Sequence, residues 1–432
     1  MADHEQQATA SRLLARDRPM RSAYANRRVV TVALLGFASG LPLALSESTL
    51  QAWLTVNGVD VRTIGVFSLV SLPYVFKFLW APLLDRYQPG WPGRRRDWML
   101  LTQMALATLL FYAGFADLAA GPLPLLALVA FAIAFMSATQ DVAIDAYRTE
   151  ILSERERGLG AGVAVSGYRI GMLVAGGGAL LAADRIGFAQ VYQLMALLVL
   201  VGIGASINGP AVAADVRPPQ GLLAAIVEPL QEFFHRESAL TLLALVFLYK
   251  LGDAFAAALT MNFLLRELHF SLTDIGSVYK LLGLVASITG ALVGGALMAQ
   301  LGMYRAMVLF AWLQAISNLG FAALALIGKS LAAMMVVVGI ENLAGGMGTT
   351  VFLAFLMSLC SARYTATQFA LLSAVASIGR VIAGPPAAYL VKAWGWAPFF
   401  SWSFLLALPA LVILRQRRAL VQALEHLPTV QQ

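Results

Sequence analysis

Twelve long apolar stretches set the limits on what this chain can be. They run over 29–55, 63–84, 98–118, 122–149, 158–183, 188–209, 239–265, 272–299, 304–327, 331–360, 366–391 and 395–414. A membrane-crossing helix needs about 20 apolar residues, so each stretch can span a bilayer, and those above about 25 imply tilt or extension beyond it. Charged residues are 12% of the 432, half the share of about 25% seen in soluble domains. A soluble globule of this size has too little interior for so much apolar surface. The expected fold is therefore an all-α polytopic membrane protein of twelve helices. A soluble enzyme, a nucleic-acid binder and a secreted disulfide scaffold are all excluded, and the lone Cys360 has no internal disulfide partner. The net charge of +7 does not signal nucleic acid, because the basic residues follow membrane topology.

With the N-terminus placed in the cytoplasm, twenty arginines fall on the inner side, among them Arg27, Arg28, Arg86, Arg148, Arg236 and Arg418. Five basic residues fall outside: Arg62, Arg185, Arg266, Lys329 and Lys392. This asymmetry puts both termini inside. Residues 1–27 read as a disordered cytoplasmic tail and not a signal peptide, since the apolar stretch behind them far exceeds an h-region. The one long loop, 210–238, carries Pro218 and Pro219 and then Leu222, Ile226, Leu230, Phe233 and Phe234 at helical spacing. It is expected to form an amphipathic helix on the inner membrane surface. It divides the chain into a six-helix bundle at 28–209 and another at 239–416, with a cytoplasmic tail at 417–432.

Ten ionisable residues lie inside the apolar stretches. The bases are Lys77, Arg169, Lys250, Lys280 and Arg380; the acids are Glu47, Asp141, Asp145, Asp253 and Glu341. At roughly 2.5–3.5 kcal/mol each at the bilayer centre, ten uncompensated charges would cost about 25–35 kcal/mol. They must face one another or a watery cavity, which describes a solute pathway. Their order repeats. Acid, base, acid, arginine occurs as Glu47, Lys77, Asp141/Asp145, Arg169 and again as Asp253, Lys280, Glu341, Arg380. The strings SGYRIGMLVAG (166–176) and SIGRVIAG (377–384) rhyme as well. Repeated halves around a central polar site are a common transporter plan. Lys250 has no counterpart.

The loop APLLDRYQPGWPGRRR (81–96) resembles the signature that follows the second helix in the major facilitator superfamily. The match rests on Asp85, Arg86 and the run Arg94–Arg96, with Ala81 and Pro82 near where the superfamily prefers glycine. The resemblance implies two six-helix bundles related by a pseudo-two-fold axis, and an inner gate at Asp85 and Arg86; Arg148 is the expected partner of Asp85. A second copy, GGALMAQLGMYR (294–305), lacks the aspartate. Further strings resemble the AmpG-type muropeptide permeases: GFASGLPLAL (36–45), TLQAW (49–53), YVFKFLWAPLLDRY (74–87), SATQD (137–141), GYRIGML (167–173), YKLGDAF (249–255), ENLAGGMGT (341–349), ATQFALLSA (366–374) and GRVIAGP (379–385). That resemblance implies a multi-pass bacterial inner-membrane symporter. It would import N-acetylglucosaminyl-1,6-anhydro-N-acetylmuramic acid, with or without stem peptide, on the proton gradient. The imported fragments would serve cell-wall recycling and β-lactamase induction.

Proton coupling needs a carboxylate that changes protonation. Asp141 and, one turn on along the same face, Asp145 are the expected sites. The alternative is that both are permanent partners of Arg169 or Arg148. Lys250 and Asp253, three apart, either neutralise each other or leave Lys250 to bind a substrate carboxylate. Glu47, Gln51 and Gln140 suit sugar hydroxyls and amides, as do Glu341 and Asn342. Lys77, Lys280, Arg169 and Arg380 suit carboxylates or internal charge balance, and Arg169 has the best bidentate geometry. Gly167 and Gly171 are expected at close helix contacts, and Pro42, Pro73, Pro385 and Pro386 are expected to kink helices. Trp53, Trp80 and Trp394 are expected to anchor membrane interfaces, Trp53 alternatively to stack on a sugar. No phosphate loop, metal cluster or catalytic triad is visible, and the histidines lie outside the apolar stretches. Hence no cofactor, no enzyme activity and no ATP drive is expected; the partners are substrate, protons and lipid, acting on a monomer. The rival readings are a carrier for another polar solute, such as a peptide or an acyl-CoA-like anion, a membrane-embedded enzyme on lipid-linked sugars, and a non-transporting sensor.

Overall fold

The computed structural model describes residues 26–46, 48–59, 63, 67–87, 90, 93, 95–116, 121–212, 221–236, 238–271 and 274–425. Among them, ten helices are long and apolar enough to cross a membrane, and two shorter apolar ones complete the expected twelve. In chain order these are α1 (Arg27–Val56), α2 (Leu69–Leu79), α3 (Arg96–Phe115), α4 (Leu123–Ile151), α5 (Glu154–Ile186) and α6 (Phe188–Asn208). After the linker helix Leu222–Phe234 come α7 (Ala239–Glu267), α8 (Val278–Leu301), α9 (Met303–Ile327), α10 (Leu331–Ser358), α11 (Thr365–Ile382) and α12 (Trp396–Gln416).

Proline marks a helix restart within α2 and another just after α11. Pro73 and Pro385 do not kink running helices; each stands in the first turn of a new one, at Leu72–Phe76 and Gly384–Trp394, where a missing N–H costs nothing. Only Pro42 lies inside a helix as expected. Trp80 separates α2 from the further helix Ala81–Arg86. Tight reversals come from glycine: Gly187 between α5 and α6 and Gly395 ahead of α12 both have φ of +83°, a value that side-chain-bearing residues avoid.

The packing repeats with an offset of six helices. In the first half α1 packs on α5, α3 on α6, and α3 on α4; in the second α7 packs on α11, α9 on α12, and α9 on α10. The halves meet through α5 against α8 and α10, and through α11 against α4, α2 and the Ala81–Arg86 helix. This seam is close because it is made of small residues. A Cβ on Gly162 would sit 2.6 Å from the Ala291 carbonyl oxygen, and one on Gly158 3.1 Å from that of Gly295.

The buried apolar side chains form three cores. One joins both halves at the Asp85 end, with Leu84 and Tyr147 beside Phe310, Phe355, Leu359 and Phe369. At the opposite end each half has its own: Leu41, Trp53, Leu106 and Tyr192 in the first, Phe255, Phe263, Phe321 and Phe400 in the second. Among the described residues, no comparably close pairing joins the halves there. Among the described residues, the halves are joined at the Asp85 end and parted at the other.

The linker carries the helix Leu222–Phe234, whose apolar stripe is split. Phe233 is buried in the shared core, while Ile226 and Phe234 are exposed. It packs on the Ala81–Arg86 helix and on α11 as well as facing outward. The C-terminal stretch begins with a helix, Arg418–Glu425, that buries Val421 and Leu424 against α9. Residues 1–25 lie outside the described residues.

Candidate functional site

A cavity of about 530 Å³ lies between the halves. Its two walls differ. Lys77 of α2, Asp141, Asp145 and Arg148 of α4, and Arg169 of α5 line one side, with Ser39 and Tyr168. The facing wall, from α10 and α11, is Thr349, Phe352, Leu353, Leu356 and Phe369. The charged side chains among the described lining residues all come from the first half.

Helix α4 places its acids by helical spacing, with Asp141 and Asp145 one turn apart on one face. Asp141 is buried and accepts a hydrogen bond from the Ser39 hydroxyl of α1. Lys77, Asp145 and Arg148 are close enough to act on it electrostatically. Asp145 is held by two cations, Arg148 at 2.7 Å and Lys77 at 3.6 Å. The Arg148 guanidinium also lies over the Phe369 ring of the other half, 5.1 Å from its centroid.

In the second half, the Lys250 ammonium donates to Asp253 (3.3 Å), Gln314 (3.2 Å) and Thr349 (3.1 Å), and the Gln314 amide donates to Asp253 (3.0 Å). Thr349 lines the cavity, so this cluster stands directly behind its wall. Glu341 accepts from its neighbour Asn342 at 2.7 Å and interacts electrostatically with Arg169 across the halves. Gln140 turns away from the cavity and donates to the Ala38 carbonyl at 3.1 Å. Lys280 is exposed beside the Tyr279 ring, and Gln51 is exposed near the parted end. Glu47 and the side chain of Arg380 lie outside the described residues.

At the closed end Asp85 accepts from the Thr367 N–H (2.8 Å), the Thr367 hydroxyl (2.6 Å) and the Ala366 N–H (3.3 Å), capping the start of α11. Its cationic partner is Arg95, not Arg148: the fully buried guanidinium lies 2.7 Å from both Asp85 and Glu150. Arg148 is one helical turn deeper and is taken by Asp145. Arg86 lies off this knot, with its guanidinium over Tyr87. Arg94 lies outside the described residues.

The linker helix adds a second knot. Arg236 pairs with Glu232 at 2.6 Å and donates to the Leu359 carbonyl at 2.6 Å; Gln368 bonds Glu232; Arg363 pairs with Glu228 at 3.3 Å. The Tyr364 hydroxyl donates to Glu228 at 2.6 Å. Burial and then that bond push its phenol up to about 12, so it stays a donor near neutral pH.

Several working residues escaped the sequence reading. Glu150 lies just past the apolar stretch, and Gln314, Thr349 and Thr367 are uncharged, so a search for intramembrane charge passes over them. The tryptophans differ too. Trp53 is buried against Tyr192 (ring centroids 4.6 Å apart), and Trp80 donates to Thr139 at 3.0 Å, so neither is an interface anchor; Trp394 is exposed.

Residues 32–383 match the family model of the Major Facilitator Superfamily. The chain is 48% identical over 388 residues to the anhydromuropeptide permease of Escherichia coli K12, covering 90% of this chain and 79% of that one. It is 32% identical over 398 residues to a putative transporter, AmpG 4, of Rickettsia felis, covering 90% and 95%. Its fold is similar to that of the proton:xylose symporter XylE bound to 6-bromo-6-deoxy-D-glucose, with a TM-score of 0.67 at 12% identity over 91% and 96% of the two chains. With that likeness in sequence and fold, the chain belongs to the Major Facilitator Superfamily, among its AmpG-type permeases.

Proposed function

We propose that the protein is a proton-coupled importer of N-acetylglucosaminyl-1,6-anhydro-N-acetylmuramic acid and its peptides across the bacterial inner membrane. The observation that carries this reading is the cavity between the halves, acid–base on one wall and uncharged, largely apolar, on the other. Its volume is about 530 Å³, inside the roughly 300–1,000 Å³ range of small-molecule sites. The substrate class comes from likeness to the Escherichia coli permease. The excess of arginine on one side sets both termini and the Asp85 end in the cytoplasm. The cavity then faces the periplasm and the inner gate is shut.

Alternating access follows from the two bundles, 28–209 and 239–416, joined by the 210–238 linker. Asp141 takes a proton from the periplasmic side, the substrate enters, the Asp85 and linker knots part, and the opposite ends close. Asp141 is the better proton carrier because Asp145 stays neutralised by Arg148 and Lys77. One proton through 100 mV supplies about 2.3 kcal/mol, roughly a 50-fold gradient. Arg169, Lys250 and Arg380 serve anionic groups of the substrate, while Lys77 holds Asp145. Gln51, Asp253, Lys280, Glu341 and Asn342 serve its polar groups, and Gln140 holds α4 on α1.

The test is uptake of radiolabelled anhydro-disaccharide into proteoliposomes under an imposed pH gradient. Wild type accumulates label, unlabelled anhydro-disaccharide competes, and Asp141→Asn abolishes accumulation. Competition by a simple peptide or an acyl-CoA instead would replace the substrate. Full accumulation by Asp141→Asn would move the proton site.

A further inference from the structure

The first-half wall holds an arginine with a donor to spare. Arg148 is partly buried and lines the cavity, and its Nε is buried with no hydrogen-bond partner. Among the described residues its ion-pair partner is Asp145, which has a second cation in Lys77. An arriving carboxylate could take Arg148 without stranding a buried charge, since Asp145 would keep Lys77. That matters because a partly buried ion left without a partner is strongly unfavourable. The planar guanidinium suits bidentate capture.

Arg148 also bridges the halves, because its guanidinium lies on Phe369 of α11. Two residues earlier on that helix, Thr367 is bonded by Asp85. Both ties therefore grip the first turns of α11.

We propose that Arg148 receives the carboxylate of the substrate in exchange for Asp145, and that this exchange lifts the guanidinium off Phe369 and loosens the inner gate. The inference rests on the substrate reading above and adds the residue that converts binding into opening. A substrate with its carboxylate masked would bind the cavity yet fail to open the gate. Arg169, on the same wall, reaches the second half at Glu341 of α10, whereas Arg148 reaches α11, where the gate is tied.

The chain carries its own reporter. Cys360 is the single cysteine, buried at the closed end, where Asp85, Arg157 and Arg236 act on it electrostatically. The experiment measures the rate of Cys360 labelling by a membrane-permeant maleimide on the full chain in proteoliposomes. The probes are anhydro-disaccharide and its methyl ester at the muramic carboxyl. In wild type the acid raises labelling several-fold and the ester does not. The acid also binds about tenfold more tightly, as a charge-assisted hydrogen bond of about 1.5–3 kcal/mol implies. Arg148→Gln raises basal labelling and removes the response to acid. Arg148→Lys, which leaves Asp145 a cation but loses the planar fork, also weakens the response and covers the case where the glutamine variant misfolds. Equal responses to acid and ester in wild type, or an intact acid response in either variant, overturn the proposal. If neither compound competes for wild-type uptake, the substrate reading itself falls.

Discussion

The three carboxylates on the inner half of α4 have the same chemistry and different freedom. Glu150 is locked to Arg95, Asp145 is held by two cations, and Asp141 keeps one neutral donor, Ser39. Only Asp141 can exchange a proton without breaking an ion pair. Asp141→Asn is therefore expected to lose gradient-driven accumulation while keeping substrate counterflow, read as exchange of labelled for unlabelled disaccharide at equal pH. Arg95 is the opposite case. Truncation in Arg95→Leu strands two buried carboxylates and should destabilise the fold by about 3–5 kcal/mol, measured as a lowered melting temperature in detergent. The sequence made Asp141 and Asp145 visible because charge inside apolar stretches is costly. It did not show which cation each acid takes. Asp85, Arg95 and Glu150 meet only after the Ala81–Arg86 helix, α3 and α4 are packed, and helix spacing alone cannot choose among arginines on different helices.

At the scale of elements, glycine sets how closely helices approach. Gly36 and Gly40 of α1 face Gly167 and Gly171 of α5, and a Cβ on any of the four would run into backbone of the facing helix. The GxxxG spacing in α5 announced this contact; its partner in α1, Gly36 and Gly40, has the same spacing, but the sequence does not say which helices pair. Gly171→Val should force α1 and α5 apart and cost about 1–3 kcal/mol, seen as loss of folded yield and thermal stability. Element breaks were harder to read. Hydropathy shows α2 and α11 as unbroken spans because it ignores the backbone. Proline at Pro73 and Pro385 restarts the helix instead. The linker helix was legible from its spacing, but its role as a tie to α11 was not, since it depends on loop residues Leu359, Arg363 and Tyr364 of the other half.

At the scale of the whole molecule, the six-helix repeat was legible in the order of charges. The conformation was not, because one sequence must support every state of an alternating cycle. The seam at the closed end rests on Gly158, Gly162, Ala291 and Gly295. Gly162→Val is expected to wedge it open, speeding maleimide labelling of Cys360 several-fold and lowering accumulation, with little change at the parted end.

The single apolar core joining both bundles at that end carries a thermal signature. Parting the bundles there wets side chains such as Phe355, Leu359 and Phe369, which lie at 0–2% exposure. Wetting apolar surface raises the heat capacity, and the attraction that opposes it weakens on cooling. Chilling should therefore shift the resting population toward the cytoplasm-facing form, and plots of transport rate against inverse temperature should bend.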